Sequence, residues 1–443
     1  MIEIFGIILQ LITFFLFTYF PVNKYTITRF KFTYIKSNIN AFFINIIILL
    51  NIFLLLSFFK LSLNFVFLLI LVINLFLFFY NFANIFEEIR KKRNFFYQIS
   101  FIFICFFLFI KTAADLKLGW DGLAFWLSKT NSFYLGGSYF DMPHPHYPQL
   151  GSYIWAFFWK NSLIEKEYLG RLFFQYLYLI SIFIITLSIK EKSNIKKLML
   201  IFLLILFTFD FDGKLSGYQD YLIFVLLIFC SKILIEINSK LKIFQNYFFY
   251  ILLIAVSILL AWVKNEGIFY TIFIAIIFFC LNSQSLLRKF FFLFVIIVNF
   301  LIQFIFIKTL SSYSQLTSSL VPLAQIPSIN DMINLNIFTV EELFFRFFYT
   351  SFYLFRSAVQ YPLILVNFIV FFISFKYYKI LRNVNIFYIF FFLNLVFVYT
   401  IYITTTAPFL WHLSTSISRL MLQTCGLYFF LFIDLYNNKN LKI

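Results

Sequence analysis

Charge is what this chain has least of: Asp, Glu, Lys and Arg supply 12% of its 443 residues, while hydrophobic side chains supply 63%. A soluble domain must hydrate its own surface, so this balance excludes a water-soluble fold and predicts that most of the chain sits in lipid. Cysteine is also sparse. Cys105, Cys230, Cys280 and Cys425 all fall in apolar runs, with neither metal-site nor disulfide spacing, and read as small core residues. Residues 1–20 carry no basic segment and no small-residue cleavage site, so the first apolar segment is expected to stay as a membrane helix. Phenylalanine is plentiful, at 74 residues, but together with abundant Ile, Asn, Lys and Tyr it matches an AT-rich coding background and carries no argument.

A bilayer core about 30 Å thick is crossed by roughly 20 helical residues. Apolar runs approaching that length recur at 2–20, 39–58, 63–85, 95–110, 168–189, 198–209, 221–237, 247–262, 268–281, 290–307, 359–375, 386–403 and 417–435. They predict an all-α polytopic membrane protein with about thirteen transmembrane helices. No internal repeat or low-complexity linker interrupts them, so 1–443 reads as a single membrane domain. Its parts are N-terminal helices (1–110), a first large loop (111–167), central helices (168–309), a second loop (310–358) and C-terminal helices (359–443).

Basic loops are retained on the cytoplasmic side. Here they are the clusters at 24–36, 90–93, 190–197, 232–242, 288–289, 376–382 and 439–442. With only Glu87, Glu88, Glu191, Glu236 and Asp434 beside them, they account for the whole formal net charge of +17. That charge is therefore a topology signal, and no nucleic-acid partner is implied. The same alternation places 150–159 between two segments that both lie outside, so this run should be a helix in the outer interface rather than a span. Residues 341–356, where Glu341, Glu342, Arg346 and Arg356 interrupt an aromatic run of helical period, read the same way. Trp155 and Trp159 are then expected as headgroup-level anchors.

The rare residues concentrate in the outer loops. The first holds Asp115, Trp120, Asp121, Trp126, Lys129, Gly136, Gly137, Asp141, His144, His146 and Tyr147. Asp121 lies just beyond a membrane helix, where low polarity raises a carboxylate's pKa, which suits a general base; the bland alternative is an ion pair with Lys129. A second loop carries Asp210, Asp212, Lys214 and Asp220, of which Asp210 and Asp212 read either as solvated charges or as ligands for a divalent metal. His144 and His146 form no zinc pattern with cysteine, so loop structure or acceptor contact is preferred for them. Lys264 and Glu266 sit between two apolar spans with almost no loop, so they must face a protein or water-filled interior. Lys264 would bind a phosphate with Glu266 orienting it, or the two would simply pair and close the hairpin. His412 and Arg419 are two helical turns apart and share a face, and Arg419 is suited to clamping phosphate oxygens.

Asp121, the Tyr134-Leu135-Gly136-Gly137 stretch and the run His144-Pro145-His146-Tyr147-Pro148-Gln149-Leu150 together resemble the first periplasmic loop of the C-type (GT-C) glycosyltransferases. The likeness is to the protein mannosyltransferase-like and aminoarabinose transferase-like members, and to a bacterial branch with Trp-Asp, Lys-Asn-Glu-Gly and Trp-His…Arg blocks. It covers residues 111–189 in order and the later blocks more loosely. Two departures stand out: the acidic pair of the class reads Asp121-Gly122, and its Lys-Pro-Pro-Leu pattern reads Tyr147-Pro148-Gln149-Leu150.

The resemblance implies a multi-pass protein of the inner (plasma) membrane with its active site on the periplasmic side and juxtamembrane helices there. It implies transfer of a sugar from a polyprenyl-phosphate carrier to a glycan, lipid or protein acceptor. Asp121 would be the catalytic base. Asp115, Lys129, His144, His146, Tyr147, Asp220, Lys264, Glu266, His412 and Arg419 would contact substrate, with no cofactor required and a divalent metal left open. A transporter or flippase for a lipid-linked or small anionic substrate is the alternative, although such proteins gather polar residues near the midplane of repeated halves.

Overall fold

The computed structural model describes residues 2–19, 38–90, 118–144, 147–187, 219–238, 243–281, 285–314, 339–376, 384–405 and 408–439, with isolated positions within 100–110 and at 199. Among the described residues there are helices and turns and no strand. The N-terminal part forms α1 (Ile2–Tyr19), α2 (Asn38–Leu56) and α3 (Leu63–Arg90). The first loop region then holds a π-helical turn (Gly122–Trp126) running into α4 (Leu127–Tyr134), a 3-10 turn (Tyr139–Asp141) and α5 (Leu150–Lys160). The central helices are α6 (Glu167–Leu187), α7 (Asp220–Asn238), α8 (Ile243–Val263), α9 (Asn265–Cys280) and α10 (Leu286–Ser314). After these come α11 (Val340–Gln360), α12 (Pro362–Lys376), α13 (Val384–Thr404) and α14 (Phe409–Lys439).

Most expected apolar segments coincide with a helix; those at 95–110 and 198–209 lie wholly or largely outside the described residues. So do most of the basic clusters. Among the described residues, Leu286–Thr309 and Asn385–Thr404 are long and apolar enough to cross a membrane, and a third span exists if α11 and α12 count as one bent element. Only 22% of the Leu286–Thr309 stretch is buried within the chain, so most of its apolar surface needs a non-aqueous neighbour.

The core is organised around α7, which packs along α14, α8 and α6. From Tyr221 to Ser231 every side chain is buried, as expected for a helix that is apolar all round and sits at the centre. Cys230 and Cys425 are buried in this region, whereas Cys280, at the end of α9, is exposed; Cys105 lies outside the described residues.

One element departs from the sequence reading. The helix α5 is present and, at 11 residues, is too short to span, but it does not lie on a surface. Every residue from Leu150 to Phe158 is buried, with α2, α4 and α6 packed around it. Phe158 meets Phe14 at 4.9 Å and Phe173 at 4.3 Å, so aromatic packing draws the helix inward. Trp155 is accordingly fully buried, its indole N–H donating to the Glu167 carbonyl at 3.3 Å, and is not a headgroup anchor. Trp159 is half-buried, stacked on Tyr134 at 4.3 Å.

The helix α11 is inside-out by the standards of a soluble protein. Phe344, Phe348, Phe352, Phe355 and Val359 form one exposed stripe, while Arg346, Thr350 and Ser357 face inward. Water would favour the reverse arrangement, so an apolar medium is what this face requires. The helix starts at Thr339, whose hydroxyl caps the Glu342 N–H at 3.2 Å, and it ends because Tyr361 is extended ahead of Pro362. The result is a bend of 108° into α12.

Arg346 anchors α11 by donating to the carbonyls of Ile403 and Thr405, at 3.2 and 2.8 Å, and to Glu342 at 2.9 Å. It thereby satisfies the otherwise unpaired end of α13. Replacing Arg346 by Ala should destabilise the protein by about 1–3 kcal/mol, because buried carbonyls lose a charged donor. Thermal unfolding in detergent would measure this, and an unchanged midpoint would remove the anchoring role.

Candidate functional site

Asp121 opens the helical segment that follows the N-terminal helices, and the π-helical turn after it is closed by the Leu127 N–H on the Gly122 carbonyl. Widened turns of this kind often occur at functional sites, because they redirect side chains that a regular helix would stack. The Asp121 carboxylate projects to α14, where Arg419 Nη1 meets Asp121 Oδ2 at 2.8 Å.

Arg419 also faces the first residue of α7, with Nη2 3.6 Å from Asp220 Oδ2. The other oxygen of Asp220 accepts from Lys264 Nζ at 3.3 Å and from the Gln423 side-chain amide. Lys264 is the extended residue between α8 and α9, and its Nζ lies 2.9 Å from Glu266 Oε1. A continuous chain of charge therefore runs Asp121–Arg419–Asp220–Lys264–Glu266. Burial opposes the Lys264 charge, but Asp220 and Glu266 outweigh it and hold its pKa above the usual lysine value.

The α8–α9 hairpin that presents Lys264 depends on a glycine. A Cβ on Gly267 would fall on the Leu260 backbone carbonyl, so the two helices approach as closely as they do because position 267 has no side chain. Gly267→Ala should force the helices apart and cost about 1–3 kcal/mol, read as a lowered unfolding midpoint. A variant as stable as the parent would show that the hairpin tolerates separation.

Around this network stands an aromatic wall. Phe125 lies 5.0 Å from Tyr147 and 5.3 Å from His144, and Trp126 is 5.8 Å from Tyr147. The Tyr147 hydroxyl is pushed up to about 12, by burial first and then by the carboxylates of Glu266 and Asp121. Its field thus links Tyr147 to the charge chain. His144 adopts a left-handed backbone, φ 53°, and burial followed by the nearby Lys129 pushes its pKa down.

Lys129 is fully buried, and its ammonium donates to the carbonyls of Tyr147 and, at 3.4 Å, Pro148. Trp126 and Tyr147 each present a ring 5.8 Å from Nζ. Lys129 therefore clamps the turn that enters α5, while Asp121 pairs with Arg419. Burial drives the Lys129 pKa well below the usual value.

His412 Nδ1 lies 3.0 Å from the Thr405 hydroxyl, beside the Tyr402 ring at 5.3 Å. Tyr402 in turn bonds Ser416 at 2.7 Å. At the rim, the exposed indoles of Trp120 and Trp411 meet edge to face at 6.3 Å.

Of the residues singled out from sequence, Asp121, Asp220, Lys264, Glu266 and Arg419 meet in one network, with Tyr147 and His412 around it. Lys129 and His144 stand behind, in the wall of the first loop. Asp115, His146, Asp210 and Asp212 lie outside the described residues. Among the described residues no group of three or more His, Cys, Asp or Glu side chains is placed to hold a metal ion. Sequence reasoning missed Gln423 and Tyr270; the Tyr270 hydroxyl donates to Gln423 at 3.0 Å and steadies the amide that serves Asp220. The signal was available, since Gln423 lies one turn beyond Arg419. Compared with known proteins, no family model matches this chain, and no curated protein or solved structure matches it.

Proposed function

We propose that this chain is a membrane glycosyltransferase that moves a sugar from a polyprenyl-phosphate carrier to a glycan, lipid or protein acceptor at the outer face of the inner membrane. The observation that carries this reading is the contact of Asp121 with Arg419, which joins a solvent-reachable carboxylate to a paired set of cations at the ends of apolar helices.

The chemistry follows from those charges. The acceptor hydroxyl attacks the anomeric carbon, the bond from that carbon to the phosphate oxygen breaks, and the hydroxyl proton passes to Asp121. The departing phosphate keeps the electron pair, and Arg419 and Lys264 offset its charge. About thirteen spans and the lipid-facing stripe of α11 would hold the site where a carrier tail stays in the bilayer while its headgroup reaches Asp121.

Mass spectrometry of surface glycans, with and without the gene, tests the reading. Deletion should remove one sugar, and the wild-type gene should restore it. Intact glycans combined with altered uptake of a lipid-linked or small anionic compound would instead favour a transporter.

A further inference from the structure

The six tryptophans of the chain fall into two groups. Trp126, Trp155 and Trp262 are buried and Trp159 is half-buried, whereas Trp120 and Trp411 are 60% and 54% exposed. Those two come from distant segments and meet edge to face at 6.3 Å. Phe125 also stands against Trp120, at 5.5 Å and 82°, so two perpendicular rings hold that indole in place. Trp120 directly precedes Asp121, and Trp411 lies on α14 ahead of Arg419, the residue that Asp121 meets. The exposed pair therefore borders the site.

An exposed indole suits either a lipid headgroup or the apolar face of a sugar ring. What continues from the pair decides between them. Between Trp411 and Arg419 the buried residues of α14 are Leu413 and Ile417, while His412, Ser414, Thr415, Ser416 and Ser418 are exposed or half-exposed. Ser414 and Thr415 donate to the Trp411 carbonyl at 3.0 and 2.9 Å, which leaves their oxygens able to accept from a ligand hydroxyl. The open face of α11, by contrast, is Phe344, Phe348, Phe352 and Phe355. A lipid would follow a face of that kind, whereas the face that leads from the indoles to Asp121 offers hydroxyls. Along the helix the stretch from Trp411 to Arg419 spans about 12 Å, which a short saccharide can bridge.

We propose that Trp120 and Trp411 form a stacking platform for a saccharide acceptor, which lies along the polar face of α14 with its reactive hydroxyl at Asp121. This rests on the glycosyl-transfer reading and narrows the acceptor from glycan, lipid or protein to a glycan of more than one sugar. One sugar is held on the indoles while another presents its hydroxyl to the base, so the platform positions the reaction without touching the reacting atoms. Stacking needs ring area rather than a particular substituent. The indoles therefore supply affinity, and the groups around Asp121 choose the hydroxyl.

The test is calorimetric binding to the full-length protein in detergent micelles. The probes are oligosaccharides released from the surface glycans of a gene-deleted strain and, separately, phosphatidylglycerol in mixed micelles. The oligosaccharides should bind the parent, and Trp120→Ala and Trp411→Ala should each weaken that binding by about tenfold. Trp120→Tyr and Trp411→Tyr keep a ring and should recover most of the loss. In transfer assays the alanine variants should raise the KM for the oligosaccharide while the KM for the carrier holds. If the oligosaccharides do not bind, or both alanine variants bind them as the parent does, the platform is overturned. An indole-dependent response to phosphatidylglycerol alone also overturns it and makes the pair a headgroup anchor. Loss of a sugar on gene deletion, with oligosaccharide binding indifferent to the indoles, would sink this inference alone. Indole-dependent binding by a protein whose deletion leaves every surface glycan intact would keep the saccharide site and sink the transfer reading.

Discussion

Replacing Asp121 by Asn is expected to lower sugar transfer by about 10²–10⁴-fold, the span that a positioned general base contributes. The substitution preserves shape and removes only the capacity to accept a proton, so packing against the π-helical turn should survive. The measurement is complementation of a gene-deleted strain with the variant, quantified as the glycan product, alongside the variant's expression level and unfolding midpoint. A stable variant that restores the product in full would show that Asp121 is not the base. The same result would move the balance toward transport, because an isosteric amide at a rim position would perturb a translocation path little.

The largest effect on stability should come from Lys264→Met. Its ammonium serves Asp220 at 3.3 Å and Glu266 at 2.9 Å from a side chain only 7% exposed. Deleting it leaves a fully buried carboxylate short of a cation, and breaking one side of a buried pair costs about 3–5 kcal/mol. The double variant Lys264→Met, Asp220→Leu should recover a large part of that loss, because the stranded charge goes with its partner. Unfolding of Lys264→Met, Asp220→Leu and the double variant in one detergent closes the cycle. Additive losses would mean that Lys264 and Asp220 act independently, contrary to their contact.

Much of the helical layout could be read from hydrophobic runs, because each apolar stretch is bounded by charge or by a break with a clear cause, such as Pro362 or the extended Lys264. The number of spans is a different matter. Length and apolarity single out two or three helices among the described residues, and the expected count remains part of the proposal.

The placement of α5 was not legible. Its run of Tyr, Ile, Trp and Phe fits a headgroup interface and a buried aromatic cluster equally well, and only Phe14, Phe53 and Phe173, from distant segments, decide between them. Within the site, rarity was the useful signal: ionisable residues next to tryptophan in an otherwise apolar chain marked Asp121, Lys264 and Arg419. The polar stripe of α14 at His412, Ser416, Arg419 and Gln423 follows helical spacing and was legible in principle. The partners of that stripe were not, since nothing local ties Asp220 to a glutamine 203 positions later. Lys129 gave Asp121 its alternative partner by proximity in sequence, whereas the turn at Tyr147 and Pro148 offers its ammonium two carbonyls instead.

The site draws on segments far apart in the sequence. During synthesis, Asp121, Asp220, Lys264 and Glu266 leave the ribosome before the helix that carries Arg419 and Gln423. Until that segment is inserted, a nascent chain holds three acids against one lysine in an apolar setting, an assembly that membrane quality-control proteases would be expected to recognise. A premature stop between Glu266 and Phe409 should therefore leave little protein in the membrane, rather than an abundant and inactive stub.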